Sequence, residues 1–81
     1  MTTPAEDQAW NTLRRLESLL RSERLTNVRA EVNFETFKVL PPSERFVAWA
    51  YSHDEGASRG YYGASVAACL LELVAAEEKR G

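Results

Sequence analysis

The stretch from Glu44 to Ala76, ERFVAWAYSHDEGASRGYYGASVAACLLELVAA, limits what this chain can fold into more than any other part. In Arg45 to His53 the odd positions carry Val47, Trp49 and Tyr51, and the even ones Phe46, Ala48 and Ala50. A run apolar on both phases, rich in aromatic and β-branched residues, suits a central strand covered on both faces. Asp54-Glu55-Gly56 follows as a short hairpin loop, with Gly56 able to supply a positive φ. Ala57 to Tyr62 then predicts a returning strand, in which Gly60 weakens the run or marks a bulge. Helix propensity is high from Ala64 onward. Val66, Leu70, Leu73 and Val74 fall at i, i+4, i+7 and i+8, one helical stripe that runs on toward Lys79. Lys79 and Arg80 complement the negative C-terminal end of such a helix. A competing reading starts the helix at Ser58 and dissolves the third strand.

Upstream, Thr3-Pro4-Ala5-Glu6 is a helix start, with Thr as N-cap, Pro at the first helical position and Glu completing a capping box. The helix is predicted to reach Ser22, with Ala9, Leu13, Leu16 and Leu20 on one stripe and Trp10 at its margin. Its other face carries Asp7, Arg14, Glu17 and Arg21, and Glu17 and Arg21 stand in the favourable i, i+4 order. With Arg15 and Arg24 nearby, that face reads either as a basic stripe or as an ordinary solvated face of mixed charge. Asn27 to Phe34 alternates, with Val28, Ala30, Val32 and Phe34 on one side and Arg29, Glu31 and Asn33 on the other. That is a half-buried strand of an antiparallel sheet. The phase then slips toward Phe37, Val39 and Leu40, which a bulge or one helical turn over Glu35 to Lys38 absorbs. Pro41-Pro42 predicts an extended turn into the next strand. The order is α-β-α-β-β-α, an α+β fold with a three-stranded antiparallel sheet, two main helices and one short helix.

Eighty-one residues make one domain, near the small end of what folds without staples. An apolar content of 44%, including two Trp, three Tyr and three Phe, suffices for one core. A single cysteine rules out an internal disulfide framework and fits a reducing cytosol. No secretory leader and no membrane-length apolar run are expected.

Chemical motifs are sparse. His53, Asp54 and Glu55 adjoin at the hairpin tip, but neighbours on a strand point to opposite sides and no second ligand pair follows. No serine has a base at recognisable spacing, and no glycine-rich phosphate loop is present. The reading is a non-enzyme without metal or cofactor. Trp49, Tyr51, Tyr61 and Tyr62 near Arg59 fit either a base-stacking platform or core filling. The element order resembles double-stranded-RNA-binding domains. Those carry a lysine cluster where this chain has Gly63-Ala64-Ser65-Val66-Ala67, so their function does not carry over.

The net charge is −2, unevenly spread. Residues 41–78 hold Glu44, Asp54, Glu55, Glu72, Glu77 and Glu78 against only Arg45 and Arg59. With Glu31 and Glu35 they form either a spaced carboxylate set suited to a basic partner groove or plain solubilising charge. Cys69 falls about 85° from the centre of the last helix's stripe, at the edge of its buried face. Two alternatives follow: an intermolecular disulfide through Cys69, giving a homodimer, or a buried and inert thiol.

The small size, the acidic second half and RGYYGASVAACLLELVAAEEKRG with its sole cysteine resemble a type I-C anti-CRISPR protein. The resemblance spans essentially the whole chain. It implies a viral inhibitor, acting in the cytoplasm of the infected bacterial host, that binds protein subunits of the Cascade surveillance complex and blocks target DNA binding. Several such proteins mimic DNA by placing carboxylates where phosphates would lie. Here the residues for that role are Glu31, Glu35, Glu44, Asp54 and Glu55, with Glu72 as an outer member. Two rival readings remain. One is a nucleic-acid-binding module using Arg14, Arg21, Arg59 and the tyrosines. The other is an interaction module for another host protein, assembled through the free edges of a small sheet.

Overall fold

In the computed structural model, which describes residues 3–34, 39–52 and 56–80, the chain begins with the capped helix its first residues encode. Thr3 is extended, its Oγ1 accepts the Glu6 N–H at 3.1 Å, and α1 (Pro4–Arg21) follows. Glu23 ends the helix by taking a left-handed φ of 61°, and its N–H donates to the Leu20 carbonyl. The reversal drops Leu25, 1% exposed, into the core. Strand β1 (Asn27–Val32) then leads through a 3-10 turn (Pro42–Glu44) to β2 (Phe46–Ser52), β3 (Ala57–Gly63) and α2 (Val66–Arg80).

The sheet is antiparallel with β2 in the centre, β1 and β3 forming its edges. The third strand is therefore real, and the helix does not begin at Ser58. Pairing from Phe46↔Gly63 to Ser52↔Ala57 is unbroken, so Gly60 marks no bulge. The last helix starts at Val66 rather than Ala64, because Ser65 caps it: Ser65 Oγ accepts the Ala68 N–H at 3.1 Å. The short helical segment lies at Pro42–Glu44, where an extended turn was expected. Proline at its first position presets φ, and the Glu44 N–H closes the turn on the Pro41 carbonyl at 2.9 Å. The helical turn expected over Glu35 to Lys38 lies outside the described residues.

Both helices cover the same side of the sheet. The core joins Leu19, Leu25, Ala48, Ala50, Cys69, Leu73 and Val74, with Leu16, Val28, Phe46, Tyr61 and Leu70 packed against it. Small side chains at Ala48 and Ala50 let α2 approach β2 closely. Gly63 does the same at the end of β3, where an added Cβ would stand 3.0 Å from the Cys69 nitrogen. The N-terminal halves of the two helices flank one groove, and Arg15 pairs with Glu78 near the end of α2, so the helices run parallel.

The apolar stripes differ from expectation. Of Ala9, Leu13, Leu16 and Leu20 on α1, only Leu16 joins the core, while Thr12 and Leu19 are the buried positions. Thr12 can be buried because its Oγ1 donates to the Gln8 carbonyl at 2.8 Å. On α2 the buried line is Cys69, Leu73, Val74 and Glu77, leaving Val66 exposed.

Candidate partner-binding face

Alternation along the strands sorts their side chains onto two faces. The even positions of β1 and β2 and the odd positions of β3 turn toward the helices. The other set forms a helix-free face: Asn27, Arg29 and Glu31 from β1, Val47, Trp49 and Tyr51 from β2, and Ser58, Gly60 and Tyr62 from β3. Val47 is buried there yet stands apart from the main core.

Trp49 is the centre of this face. Its register partners are Arg29 on one side and Gly60 on the other. The indole lies across all three strands. Nε1 donates to Glu31 Oε1 at 2.8 Å, and the far edge of the ring covers Gly60, where an added Cβ would sit 2.9 Å from Cζ3. Glycine is required at that position by this close approach, not by its φ. Arg29 Nε lies 4.0 Å from Glu31 Oε2, so the carboxylate bridges an indole and a guanidinium. Beside them Asn27, Arg29, Trp49, Tyr51 and Ser58 line a shallow hollow of about 160 Å³. Such a surface offers aromatic faces, a cation and hydrogen-bonding groups on a rigid support.

The sequence-derived carboxylates are spread over the molecule. Glu31 lies on the helix-free face, and exposed Glu44 belongs to the 3-10 turn. That turn is tied to β1 through Asn33, whose Nδ2 donates to the Glu44 carbonyl at 2.8 Å. Glu72 is exposed on α2, in the helical layer, so it does not share the face of Glu31. Glu35, Asp54 and Glu55 lie outside the described residues. The aromatic platform divides in the same way: Trp49, Tyr51 and Tyr62 share the helix-free face, whereas Tyr61 and Arg59 turn toward α2.

What those two residues meet was not anticipated. Glu77, 4% exposed, receives Arg59 Nε at 2.9 Å and Nη2 at 2.8 Å, one bond to each carboxylate oxygen, and the Tyr61 hydroxyl at 2.7 Å. Arg24 donates to the Glu77 carbonyl at 2.8 Å, tying the turn after α1 to the end of α2. Burial pushes the Glu77 carboxyl up, but the bonds from Arg59 and Tyr61 outweigh it and hold the pKa below the ordinary value. Burial, followed by the bond to Glu77, raises the Tyr61 hydroxyl. A signal for this cluster did exist: Glu77 lies four residues beyond Leu73 on the Cys69 line, and Arg59 and Tyr61 share one face of β3.

Cys69 is a free thiol, 0% exposed, in the core. The placement at the margin of the helix is corrected, because the buried line of α2 centres on Cys69 and Leu73 and not on Val66 and Leu70. Burial also raises the thiol pKa. An intermolecular disulfide at Cys69 has no surface sulfur to form from in the folded chain. Among the described residues no group of three His, Cys, Asp or Glu side chains has the placement to hold a metal ion, and no helix is long and apolar enough to cross a membrane.

No protein-family model matches this chain, and no curated protein or solved structure matches it either.

Proposed function

We propose that this protein is a non-enzymatic inhibitor that docks on the type I-C Cascade complex through its helix-free sheet face and blocks target DNA binding. The observation that carries the docking surface is the composition of that face. Trp49, Tyr51, Tyr62 and Arg29 gather on one side of a sheet whose other side holds both helices, and these are the residue types that dominate binding energy at protein interfaces. The Glu31 bond and the Gly60 contact fix the indole in advance, which lowers the entropy lost on docking. The choice of partner rests on the sequence resemblance. In this reading Glu31 and Glu44, with Glu35, Asp54 and Glu55 by sequence, supply negative charge toward the basic path of target DNA, and Glu72 is an outer contact.

The test is capture of purified type I-C Cascade by the immobilised protein, with and without loaded target DNA. The expected result is retention of free Cascade and loss of binding once DNA is loaded. Tyr62→Ala and the pair Glu31→Lys with Glu44→Lys should each weaken capture by about tenfold or more. Absence of capture overturns the partner, and unchanged capture by all these variants overturns the face. Direct binding to DNA with a steep salt dependence would favour the nucleic-acid reading instead.

A further inference from the structure

The edge of a sheet carries backbone N–H and C=O groups that another strand can pair with. Among the described residues, nothing pairs with the outer edge of β1. Every residue of β1 except Val28 is exposed, and the strand holds no proline or lysine, the residues that commonly guard such an edge. Ala30 and Val32 point to the helix side and are exposed all the same, so neither helix overhangs that part of the edge.

The register shows which backbone groups are on offer. Asn33, one residue past β1, donates its N–H to the Arg45 carbonyl at 2.9 Å. Antiparallel bonding recurs at every second residue, so Asn27, Arg29 and Glu31 direct their backbone groups to β2. Val28, Ala30 and Val32 direct theirs to the open edge. An antiparallel partner must therefore set its own outward-facing residues opposite these three.

Charge then selects the partner strand. Arg29 and Glu31 flank Ala30 on the helix-free face with opposite signs. About a two-fold axis through Ala30, Arg29 of each copy stands opposite Glu31 of the other, and Val28 opposite Val32. Arg29 and Glu31 then form the non-hydrogen-bonded pairs, whose side chains come closest, with Cα atoms about 4.5 Å apart. Sliding one copy by two residues sets Arg29 against Arg29, or Glu31 against Glu31. One register is thus attractive and both of its neighbours are repulsive. Strand β3 has no such code, because its single charged residue, Arg59, turns to Glu77.

We infer that this protein forms a homodimer by antiparallel pairing of β1 with β1 of a second copy, centred on Ala30. The two three-stranded sheets become one continuous sheet. Residues opposite one another share a side, so the helices of both copies lie together and the two helix-free faces join. Val32, 48% exposed in the single chain, gains cover from Val28 of the other copy. The inference does not depend on the Cascade reading, and its test uses the protein alone.

Sedimentation in reducing buffer across a wide concentration range tests it. The wild-type chain should approach twice its 9.1 kDa mass. Arg29→Glu sets acids opposite acids and Glu31→Lys sets bases opposite bases, so each variant alone should associate about tenfold or more weakly. Mixed in equal amounts, the two complement each other at both contacts and should recover association as a heterodimer. Mixing does not repair the lost Glu31 bond to Trp49, so recovery separates edge pairing from an effect within one chain. Ala30→Pro removes an N–H that β2 does not use and should abolish the dimer, with circular dichroism showing the fold intact. A mass of 9.1 kDa at every concentration overturns the inference. So does a dimer that survives Ala30→Pro, or a mixture that associates no better than its components.

Discussion

Glu77 occupies a position that helical spacing reserves for an apolar side chain, and it is tolerated there because three hydrogen bonds from Arg59 and Tyr61 replace its water. Breaking a buried pair of this kind costs about 3–5 kcal/mol, because the remaining charge is left without its counterion. Glu77→Ala should therefore destabilise the fold by that order at neutral pH. The sign of the pH dependence follows from the lowered pKa. The pair contributes fully above the unfolded carboxylate value of 4.5, and that contribution is lost as the pH falls through the lower folded value. Urea unfolding at pH 7 and at pH 3 measures both. The gap between wild type and Glu77→Ala should narrow in acid, and a gap independent of pH would show that the pair is not stabilised by ionisation. Tyr61 and Trp49 show the same lesson in reverse. Two aromatic residues of similar character take opposite faces because strand parity, and not residue type, assigns them.

At the scale of elements, the start of α1 and the central strand were legible because their signals are local. Thr3 and Pro4 act on the residues beside them, and the aromatic run Phe46 to Tyr51 has strand propensity wherever it lies. The buried side of α1 was not legible. Leu13 and Leu20 make the better amphipathic stripe, but α1 turns Thr12 and Leu19 inward, where the C-terminal half meets the core and Arg15 reaches Glu78. Truncating each leucine separates the two faces. Leu19→Ala should cost about 2–5 kcal/mol, as for a buried leucine, and Leu13→Ala about 0.5 kcal/mol, as for a surface one. Equal losses in thermal unfolding would return Leu13 to the core.

For the molecule as a whole, placing both helices on one side of the sheet has two consequences. It buries Cys69 among Ala48, Ala50, Leu73 and Val74, and it leaves the opposite face to Trp49 and Tyr62. The thiol should react with a disulfide reagent only when the fold opens. A stability of about 5 kcal/mol implies a slowing of roughly a thousandfold or more relative to the urea-unfolded chain. Rapid labelling under native conditions would contradict the burial. On non-reducing gels the natively handled protein should run as a monomer, because its single cysteine is buried in the core.

By itself the sequence determined what depends on neighbours along the chain: the capped first helix, the central strand, the last helix and the α+β class, while the returning strand against a helix from Ser58 was decided by its pairing with β2. It also supplied the candidate carboxylates, of which Glu31 lies on the helix-free face and Glu44 is exposed in the 3-10 turn. Only the tertiary structure decided which side of each helix is covered, since that depends on the sheet and on the partner helix and not on the helix's own periodicity. It also decided that Glu77 is buried, because the cost of burying a carboxylate is offset by Arg59 and Tyr61, which lie 18 and 16 residues away in sequence. The helix-free aromatic face and the groove between the helices arise in the same way, from surfaces that distant segments leave uncovered.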